Sequence, residues 1–280
     1  MSESWNPVPP ASRLRTFFST PLLLAPFLLP VFLLIVSCGG DGGATLRVLA
    51  ASSLTEAFQD LARAFEAENP GVRVTLDFGG SQRLRSQLEF GARADVFASA
   101  DHLQMDLAVT AGLTEGPAAD FASNTLVIIA MPNGLVAELP DLVRPGVRLV
   151  LAHGSVPVGS YSRQALRSLS QDGASGLGGR FADAVLANLV SEETNVRVVA
   201  QKVALGEVDA GIVYRTDVAV ARAVGDVRVI PIPAAANVRA RYPIAVLRDA
   251  PEAELAQAFV RFVLSESSQR RLKEYGFGAP

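Results

Sequence analysis

LRVLAASSLTEAFQDLARAFEAENPGVRVTLDF, residues 46–78, is the stretch from which the architecture can be read. Leu46–Ala50 is a short run of strand formers. Leu54, Phe58, Leu61 and Phe65 then recur at helical spacing, so 54–67 reads as an amphipathic helix. Asn69-Pro70-Gly71 stops that helix, because proline has no N–H to continue the ladder. Val72–Phe78 reads as a second strand.

The same alternation continues toward the C-terminus. Leu84 and Leu88 mark a helix closed by Gly91, and Asp95–Ser99 is a third strand. A β-α-β-α-β succession predicts a parallel sheet covered by helices on both faces. Thr125–Met131 and Val147–Ala152 read as buried strands, followed by a helix over about 160–169. Gln171–Gly179 is a glycine-rich loop, Val196–Leu205 a helix and Ala210–Tyr214 a buried strand. Val227–Ile232 and Ile244–Leu247 are further strands, and helices close the chain over about 252–264 and 268–275.

Toward the N-terminus the pattern changes. Arg13 and Arg15 precede an apolar run, Phe17–Val36, that ends at Ser37-Cys38-Gly39-Gly40. A basic start, an apolar middle and a small-residue end are the parts of a secretory signal. The run could also span a membrane, but Pro21, Pro26 and Pro30 suit a spanning helix poorly. IVSC resembles a bacterial lipobox, which implies cleavage before a lipidated Cys38 and a signal segment over 1–37. Gly39–Gly43 then reads as a flexible tether, placed over 38–44.

Composition excludes several functions. With 280 residues and 49% hydrophobic content the chain can bury a sizeable core. A formal net charge of −3 offers no broad basic surface for nucleic acid. Two histidines, His102 and His153, and the single Cys38 allow no zinc cluster and no internal disulfide. There is no G-x-S-x-G elbow, and GASGLGG lacks the lysine of a phosphate loop.

What remains is the chemistry of the strand-to-helix turns. Ser52-Ser53, Gly79-Gly80-Ser81, Val158-Gly159-Ser160 and Thr194-Asn195 recur there. Ligands of open α/β sheets bind beyond the carboxyl ends of the strands, where helix N-termini present N–H groups. Several such turns around one cleft could hold an anion without lysine or arginine. Each also fits a plainer role: Ser53-Leu54-Thr55-Glu56 matches a capping box, and Ser81 and Thr194-Asn195 match N-caps. Tyr214 at a strand end matches a core aromatic.

Five motifs then combine in order: AASSLTEAF (50–58), ADVFASAD (94–101), VPVGSYSRQAL (156–166), GEVDAGIVYRTD (206–217) and YPIAVL (242–247). From Leu46 to the C-terminus the chain resembles the bacterial molybdate-binding periplasmic proteins of ABC transporters. The resemblance implies the α/β two-lobe fold of type II periplasmic binding proteins. Each lobe would be a mostly parallel sheet flanked by helices, with the ligand cleft between lobes. Residues 45–123 and 238–280 would form one lobe and 124–237 the other, joined by crossovers near Asn124-Thr125 and near Ile232–Arg239. The resemblance also carries over a ligand set. Ser53 and Ser81 would donate hydroxyls, Val158 and Val196 backbone N–H groups, and Tyr214 its phenol. Gly79-Gly80 departs from the Ala-Ser of many relatives and removes one possible hydroxyl.

The implied protein is a monomeric extracytoplasmic receptor for molybdate or tungstate, not an enzyme. It would use no cofactor and no direct ligand to a metal cation. It would be held on the membrane through Cys38, deliver its anion to an ABC permease and bind no nucleic acid. The alternatives are a receptor of the same fold for sulfate, phosphate or an iron complex, a lipid-anchored serine hydrolase using Ser53 or Ser81, and a module that binds a partner protein.

Overall fold

The computed structural model describes residues 43–280. The signal segment, Cys38 and most of the tether lie outside the described residues. Ala44, assigned above to the tether, already belongs to a strand, because it pairs with Val72.

In chain order the first elements are β1 (Ala44–Ala51), a 3-10 turn (Ser52–Leu54), α1 (Thr55–Glu68), β2 (Val72–Gly79), α2 (Ser81–Glu89), β3 (Val96–Ala98), α3 (His102–Thr110) and β4 (Thr114–Ala130). There follow β5 (Leu149–Ala152), α4 (Pro157–Gln171), α5 (Phe181–Leu186), β6 (Leu189–Glu193), α6 (Val196–Ala204), β7 (Ala210–Tyr214), α7 (Asp217–Val224) and β8 (Arg228–Pro231). The chain ends with β9 (Arg239–Leu247), α8 (Ala253–Leu264) and α9 (Glu266–Glu274).

The strands run in the order β2-β1-β3-β9-β4-β7-β5-β6, with β8 beside β4. Parallel pairing holds for β1 with β2 and β3, and for β5 with β6 and β7. The pairings of β9 with β3 and β4, and of β4 with β7 and β8, are antiparallel. The parallel character therefore sits at the two outer parts, and the strands that connect them run against it.

β4 belongs to both halves. Thr114–Thr125 pairs with β9, and Leu126–Ala130 then pairs with β7. On the β9 side, β8 takes over from Val127. Leu126 falls in the gap between β9 and β8, where its peptide groups lack a strand partner. The Asn237 side chain fills that gap. Its Oδ1 accepts the Leu126 N–H at 3.0 Å, and its Nδ2 donates to the Leu126 carbonyl at 2.9 Å. A primary amide can do both at once, as a peptide group does.

The apolar face of α1 buries Phe58, Leu61 and Phe65. Phe65 meets Phe259 of α8 edge-on at 5.2 Å between centroids, and Phe58 meets Phe121 of β4 at 5.6 Å. Arg271 of α9 pairs with Asp60 of α1 at 2.9 Å. The C-terminal helices thus pack on the first half, next to β9, which pairs with β3. Each buried aromatic of this group stabilises the fold by roughly 1.5–3 kcal/mol. α5, β6 and α7 were not read from the sequence. The first is only six residues long. β6 is only partly buried and carries Glu192 and Glu193. DVAVARAV in α7 mixes β-branched and small residues without a clear period.

Candidate functional site

Three α-helices and the 3-10 turn start around one point. A small cavity of about 10 Å³ lies there, lined by Ser52, Ser53, Gly80, Ser81, Val158, Val196 and Tyr214 among others. All five residues singled out from the sequence are therefore brought together, although they span positions 53 to 214. Among the described residues the lining holds no lysine, arginine, histidine or carboxylate. It is far smaller than the sites of drug-sized ligands, which run to about 300–1,000 Å³. A larger hollow near Pro140 and the loop 175–180 is lined mostly by glycine and apolar residues.

Local structure decides which donors face the cavity. Asn195 caps α6, and its Oδ1 accepts the N–H groups of Arg197 at 2.9 Å and Val198 at 3.3 Å. The cap leaves the first N–H of the helix, that of Val196, without an acceptor in its own helix. α4 begins at Pro157, which has no N–H, and has no side-chain cap. The Val158 N–H is then the first amide that α4 presents. Gly159 lets the helix start this close to β5. A Cβ there would stand 2.1 Å from the His153 carbonyl oxygen and 2.4 Å from that of Ala152.

Ser53 and Ser81 turn out not to be caps. α1 is preceded by Leu54 and α2 by Gly80, and neither helix has a side-chain cap. The Ser81 hydroxyl accepts the Ala100 N–H at 3.0 Å, which leaves its own proton for an acceptor in the cavity. The Ser53 hydroxyl shares a 3.0 Å hydrogen bond with the Tyr242 phenol. Gly80 permits close approach of the two halves, because a Cβ there would lie 2.5 Å from the Thr194 carbonyl oxygen.

Tyr214 ends β7 with its ring against Tyr242, centroids 5.8 Å apart. It is 2% exposed, and its hydroxyl has no hydrogen-bond partner among the described residues. A buried polar group left unpaired costs about 1–3 kcal/mol, so it calls for a ligand. Burial foremost, then the nearby Tyr242, Tyr161, Asp101 and Asp217, pushes the phenol well above its ordinary pKa. Tyr214 therefore stays protonated at neutral pH and can act as a donor.

Two residues near the site escaped the sequence reading. Tyr242 holds Ser53, and nothing within YPIAVL signals that contact. Arg197 follows Val196 on α6 and reaches the Ser52 carbonyl at 2.9 Å, behind the cavity. Buried Asp217 accepts the Tyr214 N–H at 3.2 Å. Desolvation raises its pKa to about 6, against the lowering effect of Arg197.

The chain is similar to known proteins. Residues 46–278 match the model of a family described as bacterial extracellular solute-binding protein. The chain is 39% identical to the molybdate-binding protein ModA of Mycobacterium tuberculosis H37Rv over 260 residues, covering 88% of this chain and 93% of the relative. A solved substrate-binding domain of a putative molybdenum ABC transporter from Clostridium difficile superposes with a TM-score of 0.61 at 27% identity. That match covers 85% of this chain and 99% of the other. The sulfate-binding protein SubI of M. tuberculosis shares the fold, with a TM-score of 0.75 at 18% identity over 84% of this chain and 86% of its own. This chain belongs to the bacterial extracellular solute-binding protein family.

Proposed function

We propose that this protein captures a tetrahedral dianion, molybdate or tungstate, and delivers it to an ABC permease without chemical change. One observation carries the reading: the buried Tyr214 hydroxyl has no partner among the described residues and lines a cavity shared with Ser53, Ser81 and the amides that open α4 and α6. Ser53, Ser81 and Tyr214 donate hydroxyls in this reading, and Val158 and Val196 donate backbone N–H groups. Helix N-termini add the favourable end of their dipoles. The likeness to ModA supports molybdate as the anion.

The lobes divide in this reading at 45–123 with 238–280, and at 124–237. The exchange of β4 partners between Thr125 and Leu126 supports the first boundary. The Asn237 contacts between β8 and β9 support the second. The protein acts as a monomer on the outer face of the membrane, tethered through a lipidated Cys38. Among the described residues no helix is long and apolar enough to cross a membrane. A labelled fatty acid should enter the wild-type protein in cells and should not enter Cys38→Ser.

Calorimetry of the full chain in detergent, with molybdate, tungstate, sulfate and phosphate, tests the ligand. Molybdate and tungstate, nearly equal in size, should bind alike, and the smaller sulfate should bind much more weakly. Sulfate affinity equal to that for molybdate would refute the assignment, and hydrolysis of an ester lost in Ser81→Ala would replace it with catalysis.

A further inference from the structure

Arg197 bonds to the carbonyls of two cavity-lining residues, Ser52 and Ser53, and it reaches them from the opposite half of the molecule. It sits on α6, beside β5 and β7, whereas its targets belong to the turn after β1 and to α1. Its Nε donates to the Ser52 carbonyl at 2.9 Å, and one terminal nitrogen donates to the Ser53 carbonyl at 3.3 Å. The other terminal nitrogen meets Glu56 Oε1 at 3.1 Å. On its own side, Nε lies 3.2 Å from Asp217 Oδ1, close enough for ion pairing. Only a planar fork of five N–H donors can serve this many acceptors at once.

The Ser52 carbonyl belongs to the same peptide group as the Ser53 N–H. That oxygen also accepts the Thr55 hydroxyl at 2.7 Å and the Thr55 N–H. Donors gathered on a carbonyl polarise its peptide and make the attached N–H a stronger donor. The Ser53 N–H stands in the first positions of the 3-10 turn, where no partner exists within the turn.

We infer that Arg197 is a positioning residue for anion capture. It fastens the two halves together across the cleft, and it strengthens the Ser53 amide from behind without touching the ligand. The inference rests on the oxyanion reading above. Its cross-cleft bonds exist only while the halves are together, so Arg197 governs how long the anion stays rather than how fast it arrives. Gln82, which donates to the Thr194 carbonyl at 3.0 Å, spans the same gap as a single neutral bond.

Molybdate association and dissociation should be measured on the full chain in detergent for wild type, Arg197→Lys, Arg197→Met and Glu56→Gln. Arg197→Met should release molybdate at least about tenfold faster, reflecting lost charge-assisted hydrogen bonds. Glu56→Gln should do so about two- to fivefold, as a partly exposed ion pair allows. Arg197→Lys should fall between wild type and Arg197→Met. Association rates should stay within about twofold of wild type. Glu56→Gln breaks only the cross-cleft pair, so its ligand-free melting temperature should match wild type even if Arg197→Met folds poorly. Unchanged dissociation in Glu56→Gln, or affinity lost through slower association, overturns the inference alone. A wild-type protein that binds none of the four oxyanions overturns the oxyanion reading and this inference with it.

Discussion

Tyr214→Phe separates a ligand-binding hydroxyl from a structural one, because the two roles predict opposite signs. The ring of Tyr214 packs on Tyr242 and is buried, and phenylalanine retains that packing. Among the described residues the hydroxyl has no hydrogen bond to lose. Removing it should leave the ligand-free protein as stable as wild type, or more stable by up to about 1 kcal/mol, since an unpaired buried hydroxyl is itself a cost. A hydrogen bond to a charged group contributes about 1.5–3 kcal/mol, so molybdate affinity should fall about 10- to 150-fold.

Melting curves at a fixed molybdate concentration read both effects. At about 100 times the wild-type Kd, the ligand adds about 2.7 kcal/mol of stability to wild type. If Tyr214→Phe binds about 30-fold more weakly, the same concentration adds only about 0.9 kcal/mol. For a chain of this size the difference corresponds to about 4–7 °C in the ligand-induced shift. Calorimetry supplies the affinities directly. A Tyr214→Phe protein that melts several degrees lower without ligand and shows an unchanged molybdate shift would refute the reasoning, because the hydroxyl would then serve the fold.

Three further perturbations follow from the same geometry. Asp217 has a folded pKa of about 6 against an ordinary 3.8, so its contribution to stability is full below about pH 4 and is lost as pH rises through 6. Asp217→Asn removes that dependence; its stability relative to wild type should therefore drop by about 1 kcal/mol between pH 7 and pH 5, as measured by denaturant unfolding. Gly159→Ala forces a Cβ onto two carbonyl oxygens, and should cost about 1–3 kcal/mol in unfolding and weaken molybdate binding by displacing the Val158 amide. Asn237→Ala leaves the fully buried Leu126 with an unpaired N–H and C=O, and should cost about 1–3 kcal/mol for each group, with faster hydrogen exchange at Leu126.

Local pattern carried much of the fold. Val72–Phe78 and Ala210–Tyr214 are strands as read, and the apolar residues of 54–67 are the buried face of α1. β4 was read only from Thr125, because Gly116-Pro117 and two irregularities interrupt its first part. That part is held by its partner β9, which no local signal reports. The site shows the same division. Ser53 and Ser81 looked like caps because serine before a helix usually is one, and only the structure shows Leu54 and Gly80 in those places. Asn195, by contrast, is the cap its sequence suggested, and that role is what leaves Val196 N–H exposed to the cavity. The convergence of positions 53, 81, 158, 196 and 214 is a property of the sheet order. It was legible only through the resemblance that runs along the chain from Leu46. Arg197 lay beyond such reading, since its partners are more than 140 positions away.

On the oxyanion reading, placing the cation behind a peptide resolves a conflict between capture and release. A bare arginine about 4 Å from a dianion would add about 4 kcal/mol of attraction per unit charge at an effective dielectric near 20. That attraction falls only as the inverse of distance, so it would persist while the cleft opened. Hydrogen bonds from hydroxyls and amides fall off far more sharply with distance and angle. Arg197 has its charge opposed by Glu56 and Asp217, so little of it reaches the ligand directly. What it adds passes through the Ser52–Ser53 peptide and through bonds that break when the halves part. Opening then weakens the amide, loosens the halves and admits water to every donor in one event. Affinity becomes a property of the closed form alone, which is what a carrier that must surrender its anion to a permease requires.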